Sequence, residues 1–204
     1  MTALKSALKE WSVAVEALAA GDTLLLLRKG GIREAAGQFT VPYSRVILYP
    51  TYEHQQPDWL KPKYAQTVKP VASGWHPETI SLRAWAEIAD IFQVSEPSSL
   101  DALQPFHIWQ EAFATERFKW KPQQPLYVLL LRVYRLANAV EIPYHSSYSG
   151  CRSWLELQTA IAVDHSYPAL SESDFNQQRH RLQALMTNSD DETQSAVETL
   201  KQSA

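Results

Sequence analysis

Leu18-Ala19-Ala20-Gly21-Asp22-Thr23-Leu24-Leu25-Leu26-Leu27-Arg28-Lys29-Gly30-Gly31 joins a helix to a strand, and this junction decides the fold class. Upstream, Leu4, Leu8, Trp11, Val15 and Leu18 recur at steps of four and three, the apolar face of one helix. Gly21 ends it, because glycine takes the left-handed C-cap conformation without strain. Leu24–Leu27 is apolar at every position, which predicts a strand buried on both faces and central in its sheet. Arg28-Lys29-Gly30-Gly31 stops that strand abruptly.

Downstream, Gln38–Val41 and Arg45–Tyr49 read as two strands around a bend at Pro42, the second closed by Pro50. Pro57, Pro62, Pro70 and Pro77 then break any regular ladder, so residues 51–78 form a long ordered loop or a set of short pieces. Thr79–Val94 reads as a strand pair, with a strand and a helix as the other option. Ser98-Ser99 and Asp101 start a helix whose face is Leu103, Phe106, Trp109 and Phe113. Pro125 opens a strong strand over Leu126–Leu136, residues 142–150 are a loop, and Trp154–Ile161 is a short helix or strand. Ser171, Ser173 and Asp174 can cap a helix with Phe175, Leu182 and Leu185 on its apolar face. The expectation is one α+β domain over residues 1–165, with a helix and a polar acidic tail over 166–204. Its sheet is mostly antiparallel or mixed, or a small PUA-like barrel, flanked by two or three helices.

Composition narrows the function classes. The 204 residues carry a net charge of −3, with fifteen Lys+Arg against fourteen Asp+Glu in residues 1–150 and four against eight thereafter. A near-neutral body with an acidic tail is unlike the strongly basic surface of a protein that coats nucleic acid. Seven Trp and nine Tyr supply rings for a core and for a stacking pocket. The lone Cys151 forms no internal disulfide and no CxxC-type zinc site. The N-terminus reads as amphipathic rather than as a secretory signal, and the longest apolar runs are far short of the ~20 residues a membrane helix needs. These features predict a cytoplasmic protein without a membrane span.

Four clusters could carry chemistry. Arg28 and Lys29 stand beside a glycine pair, which suits a phosphate, although the spacing is not that of a Walker loop. Tyr49, Tyr52, Glu53 and His54 follow a strand end; in an extended chain Glu53 and His54 point to opposite sides, so they act together only if the chain turns. Arg117 and Trp120 interleave a cation with a ring, as in sites that stack a base and hold its phosphate. Cys151 beside Arg152 is either a nucleophile of lowered pKa or a structural thiol. Glu16, Glu34 and Glu53 with Lys29 could be arranged for metal-assisted hydrolysis.

Lys9-Glu10-Trp11, Glu16-Ala17-Leu18, Leu26 to Ile32, Leu48 to Gln55, Pro125 to Leu129 and Gly150-Cys151-Arg152-Ser153-Trp154 together resemble the bacterial domain-of-unknown-function family 1802, frequent in cyanobacteria. The resemblance spans roughly residues 7–160 and implies no activity. More weakly, the helix, Gly21, Thr23 and the strand ending in Arg28 are similar to the opening of ASCH and PUA-like domains. Asp22 stands where a Lys usually follows the Gly, and Leu26 where the strand usually carries an acid. That resemblance implies a small barrel binding RNA or modified nucleotides. The leading expectation is an RNA- or nucleotide-binding module. In it Arg28 and Lys29 meet phosphate, Trp120 or a Tyr of residues 49–52 stacks on a base, and Glu53 and His54 bond its edge. Two readings stay open beside it. One is a metal-dependent nuclease or phosphodiesterase using Glu16, Glu34, Glu53 and Lys29, with a divalent metal required only in that case; Glu34, Glu53, His54 and Cys151 are the catalytic candidates should the domain be an enzyme. The other is a non-enzymatic domain that docks a protein partner through its C-terminal helix. No other cofactor or metal site is identified.

Overall fold

A computed structural model describes residues 2–29 and 41–186. The Gly30-Gly31 turn, Glu34, the expected strand at residues 38–40 and the tail beyond 186 lie outside the described residues.

The chain opens with a strand, β1 (Ala3–Trp11), and turns helical only in α1 (Ser12–Ala20). The expected single helix over residues 4–18 is thus half wrong. A step of four is both one helical turn and two strand repeats, so Leu4 and Leu8 fit either. Partners decide the matter: β1 is held by a parallel ladder to β3 (Arg45–Thr51) and an antiparallel one to β6 (Trp154–Ala162). Gly21 caps α1 as expected, at φ 77°, its N–H on the Leu18 carbonyl. A Cβ there would lie 2.8 Å from Leu170 Cδ2, so space as well as conformation favours glycine.

β2 (Leu25–Arg28) is buried throughout, as its composition requires, but it ends the strand order rather than sitting in its middle. The order is β2-β5-β4-β3-β1-β6, with β7 (Ser166–Pro168) paired to β5 (Leu126–Pro143) beyond the reach of β2. β4 (Thr79–Val94) is one long strand, not a pair; register shifts near Leu82 and Ile88 interrupt its alternation and disguise its length. β3 runs through Pro50 to Thr51. Residues 52–78 hold a 3-10 turn at Pro57–Trp59 and the short α2 (Pro62–Ala65). The helix expected after Ser98 breaks into α3 (Pro97–Ala102), a 3-10 turn at Gln104–Phe106 containing Pro105, and α4 (Glu111–Lys119). α5 spans 172–186 and begins on the foreseen cap, the Asp174 N–H donating to Ser171 Oγ at 3.1 Å. The described residues thus form an α+β fold with a mixed sheet and five helices, where two or three were expected. None of these helices is long and apolar enough to cross a membrane.

Two cores lie on opposite faces of the sheet. Leu8, Val46, Leu48, Ala84 and Ala86 face α1, α4 and α5; Ala7, Ile47, Tyr49, Leu82 and Trp85 face β6 and the far half of β5. The sheet stays open, so of the two expected forms, a mixed sheet or a small barrel, it is the mixed sheet. Three strands separate β1 from β2, yet Arg28 on β2 donates to the Lys9 carbonyl on β1 at 2.7 Å and pairs with Glu10 at 3.0 Å. The sheet therefore curls until β2 approaches β1, and a side chain rather than a ladder crosses the seam.

Candidate functional site: a cavity at the open seam

The seam leaves a cavity of about 410 Å³. Its floor comes from the ends of two strands, Lys9-Glu10-Trp11 and Leu27-Arg28-Lys29. Parallel pairing sets Lys9, Glu10 and Trp11 beside Tyr49, Pro50 and Thr51, so the β1 end and the turn after β3 open on the same side. The 149–153 loop forms one wall and α4 with Trp120 another.

Arg28 and Glu10 are each about nine-tenths buried. Glu10 also accepts the Trp11 N–H at 2.8 Å, and Arg28 Nε finds no partner among the described residues. Lys9 Nζ donates to the Tyr148 and Gly150 carbonyls at 2.8 and 3.1 Å, in a turn that Gly150 permits at φ 80°. Burial pulls the Lys9 pKa below its ordinary value, Glu53 and Cys151 oppose this, and Arg152 adds to it. Lys29, also buried, donates to the Phe118 carbonyl; desolvation first and Arg117 second lower its pKa too.

One wall is aromatic. Trp109 meets Trp11 edge-on at 5.7 Å and Phe113 at 5.3 Å. Trp120 is 42% exposed, with the Arg117 guanidinium and the Lys121 ammonium over its ring at 5.9 and 4.7 Å.

His107 supports this wall from behind, close to the bridge that ties Leu60 to Trp109. Burial, with the Lys61 charge nearby, pushes its pKa down to about 4. The unfolded chain, titrating near ~6.5, then binds more protons here than the folded one. Stability should be complete above about pH 6.5 and fall as pH drops toward 4, by on the order of 3 kcal/mol from this residue. Urea unfolding across that range should show the slope in the parent protein and a flatter curve for His107→Leu.

Seven candidates from the sequence meet in this cavity: Arg28, Lys29, Glu53, His54, Arg117, Trp120 and Cys151. Glu53 and His54 reach it together because the chain does turn, His54 standing at φ 62°. Tyr49 does not reach it: it is 2% exposed, its ring edge-on to Tyr148 at 5.4 Å, and burial raises its pKa. Tyr52 lies alongside, lining a neighbouring recess. Gln55 serves the fold, its Oε1 accepting from Ser12 Oγ and the Val13 N–H at the start of α1, both at 3.1 Å. Glu16 is off the cavity. Among the described residues no three of His, Cys, Asp and Glu gather to hold a metal ion. The sequence reading missed Lys9, Glu10 and Trp11 as site residues, because it placed them on a helix; their presence in the family motif was the signal available.

The model of one family matches residues 7–181. The chain belongs to the DUF1802 family, described as a domain of unknown function. No curated protein matches the sequence. Two solved structures similar to this DUF1802 domain are crystal structures of mutant ZmASCH proteins from Zymomonas mobilis. They are 14% and 13% identical to it, at TM-score 0.43, and cover 75% of this chain and 87% and 89% of their own. The resemblance read at the start of the sequence was to the same kind of domain. At that level of likeness they assign no activity here.

Proposed function

We propose that this DUF1802 domain binds a nucleotide moiety, free or presented by RNA, in the seam cavity. One observation carries the reading. Five cations (Lys9, Arg28, Lys29, Arg117 and Arg152) against two carboxylates share a cavity with an aromatic wall, in a protein whose net charge is −3. Such a cavity is large enough for a small ligand and pairs positive charge with flat apolar surface. Arg117 and Arg152 meet the phosphate, Trp120 stacks on the base, and Glu53 and His54 bond its edge. Arg28 holds the seam. Because the charge is gathered in a cavity, affinity should depend on salt less than it does for a basic coat.

Fluorescence anisotropy with labelled single-stranded RNA, competed by AMP at low and near-physiological salt, tests this. Arg152 and Trp120 are exposed, so Arg152→Ala and Trp120→Ala should leave the fold intact. Each is expected to weaken binding about ten-fold. The reading fails if no saturable binding is seen, or if both variants bind like the parent protein.

A further inference from the structure

Beside the seam cavity lies an aromatic surface with no part in the reading above. Tyr144 borders both the cavity and a neighbouring recess, and so do Lys9, Thr51 and Glu53, so the two are continuous. The recess encloses only about 20 Å³, too little to take a base inside. Its rim is another matter. His76 stacks on Tyr144 with centroids 3.3 Å apart and planes at 10°. Trp75 is 45% exposed and stands edge-on to Tyr52, 5.9 Å away at 89°. Glu53 Oε1 accepts the Gly74 N–H at 2.6 Å, which fastens the loop carrying Trp75 and His76 to the end of β3. The rings are therefore anchored at the mouth of the cavity.

Resting on the proposal that the cavity takes a nucleotide, we infer that the site extends to a second nucleotide of the same single strand. The base of that nucleotide lies on Trp75 and the His76–Tyr144 stack. Continuity argues for it: a strand leaving the cavity past Tyr144 meets rings rather than solvent. Charge argues for stacking as the mode. Glu53 and Lys9 both border this rim, and Glu16, Arg83 and Glu141 act on Tyr52, so carboxylates offset the cations and the rim lacks the cationic excess of the cavity. Stacking needs only an exposed π face and tolerates any base. The ligand class is thus a single-stranded oligonucleotide in preference to a mononucleotide.

Isothermal titration of the full chain with AMP and with the 5′-phosphorylated dinucleotide pApA tests this, in the parent protein, Trp75→Ala and Trp75→Phe. The parent should bind pApA about ten-fold or more tighter than AMP. Trp75→Ala should lose most of that gain with AMP affinity unchanged, and Trp75→Phe, which keeps a ring, should retain most of it. Equal affinity of the parent for the two ligands would overturn the inference and leave the cavity reading standing. Trp75→Ala weakening AMP and pApA alike would also overturn it. If neither ligand binds the parent protein, the cavity reading falls and this one with it.

Discussion

Arg28→Ala should cost about 3–5 kcal/mol of stability and abolish nucleotide binding. The mutation removes one partner of a buried ion pair and leaves Glu10 charged and desolvated, which is the costly way to break such a pair. It also removes the link to the Lys9 carbonyl, the side-chain bridge across the open edge of the sheet. At roughly 2–4 °C per kcal/mol for a chain of this size, the melting temperature should fall by about 10 °C. Adding Glu10→Gln neutralises the stranded carboxylate and should recover part of the stability. It should not restore binding, because the seam and its cation are still missing. Calorimetry and AMP titration of both variants separate the two roles. A single variant as stable as the parent would show that the seam does not hold the fold together.

Removal of residues 171–204 should leave a chain that no longer folds cooperatively. α5 buries Phe175, Leu182 and Met186 in the first core. At about 1.5–3 kcal/mol for each buried side chain, their loss comes to roughly 5–9 kcal/mol, comparable with the whole stability of an ordinary domain. Polar contacts add to the attachment. Arg179 grips Asp90 through Nε and a terminal nitrogen at 2.7 and 3.0 Å, and Arg132 lies 4.5 Å over the Phe175 ring while pairing with Glu172. Phe175 and Leu182, two residues of the apolar face that the sequence offers to a protein partner, are thus buried in the domain's own core. Circular dichroism and urea unfolding of the truncated chain check this. A sharp transition near the parent midpoint would mean that α5 is dispensable.

These two results bear on what the sequence could reveal. Strands with a plain signature were legible: the all-apolar Leu25–Leu27, and Arg45–Tyr49 and Leu126–Leu136 within longer strands. Their neighbours were not, because pairing is a property of distant residues. Nothing local tells that Leu25–Leu27 ends the strand order and still lies buried, or that Leu4 and Leu8 belong to a ladder rather than a helix. Thr79–Val94 hid its length behind two register shifts. The residues that meet in the candidate cavity were partly legible too. Cations beside glycines, a carboxylate next to a histidine, and a Trp among basic residues announce themselves by type, and six such residues line one cavity together with Cys151. The omission of Lys9, Glu10 and Trp11 follows from the helix error: on a helix they scatter around the axis, whereas on β1 they end a strand at the seam.

The most direct test follows the indole N–H resonances of the seven tryptophans while AMP is added to the ¹⁵N-labelled protein. Trp11, Trp109 and Trp120 line the cavity, whereas Trp85 belongs to the core on the other face of the sheet, its Nε1 donating to Ser166 Oγ at 2.9 Å. The account predicts saturable shifts of Trp11, Trp109 and Trp120, with Trp85 unmoved. No shift at millimolar AMP, or shifts that spare the three cavity tryptophans, would contradict it.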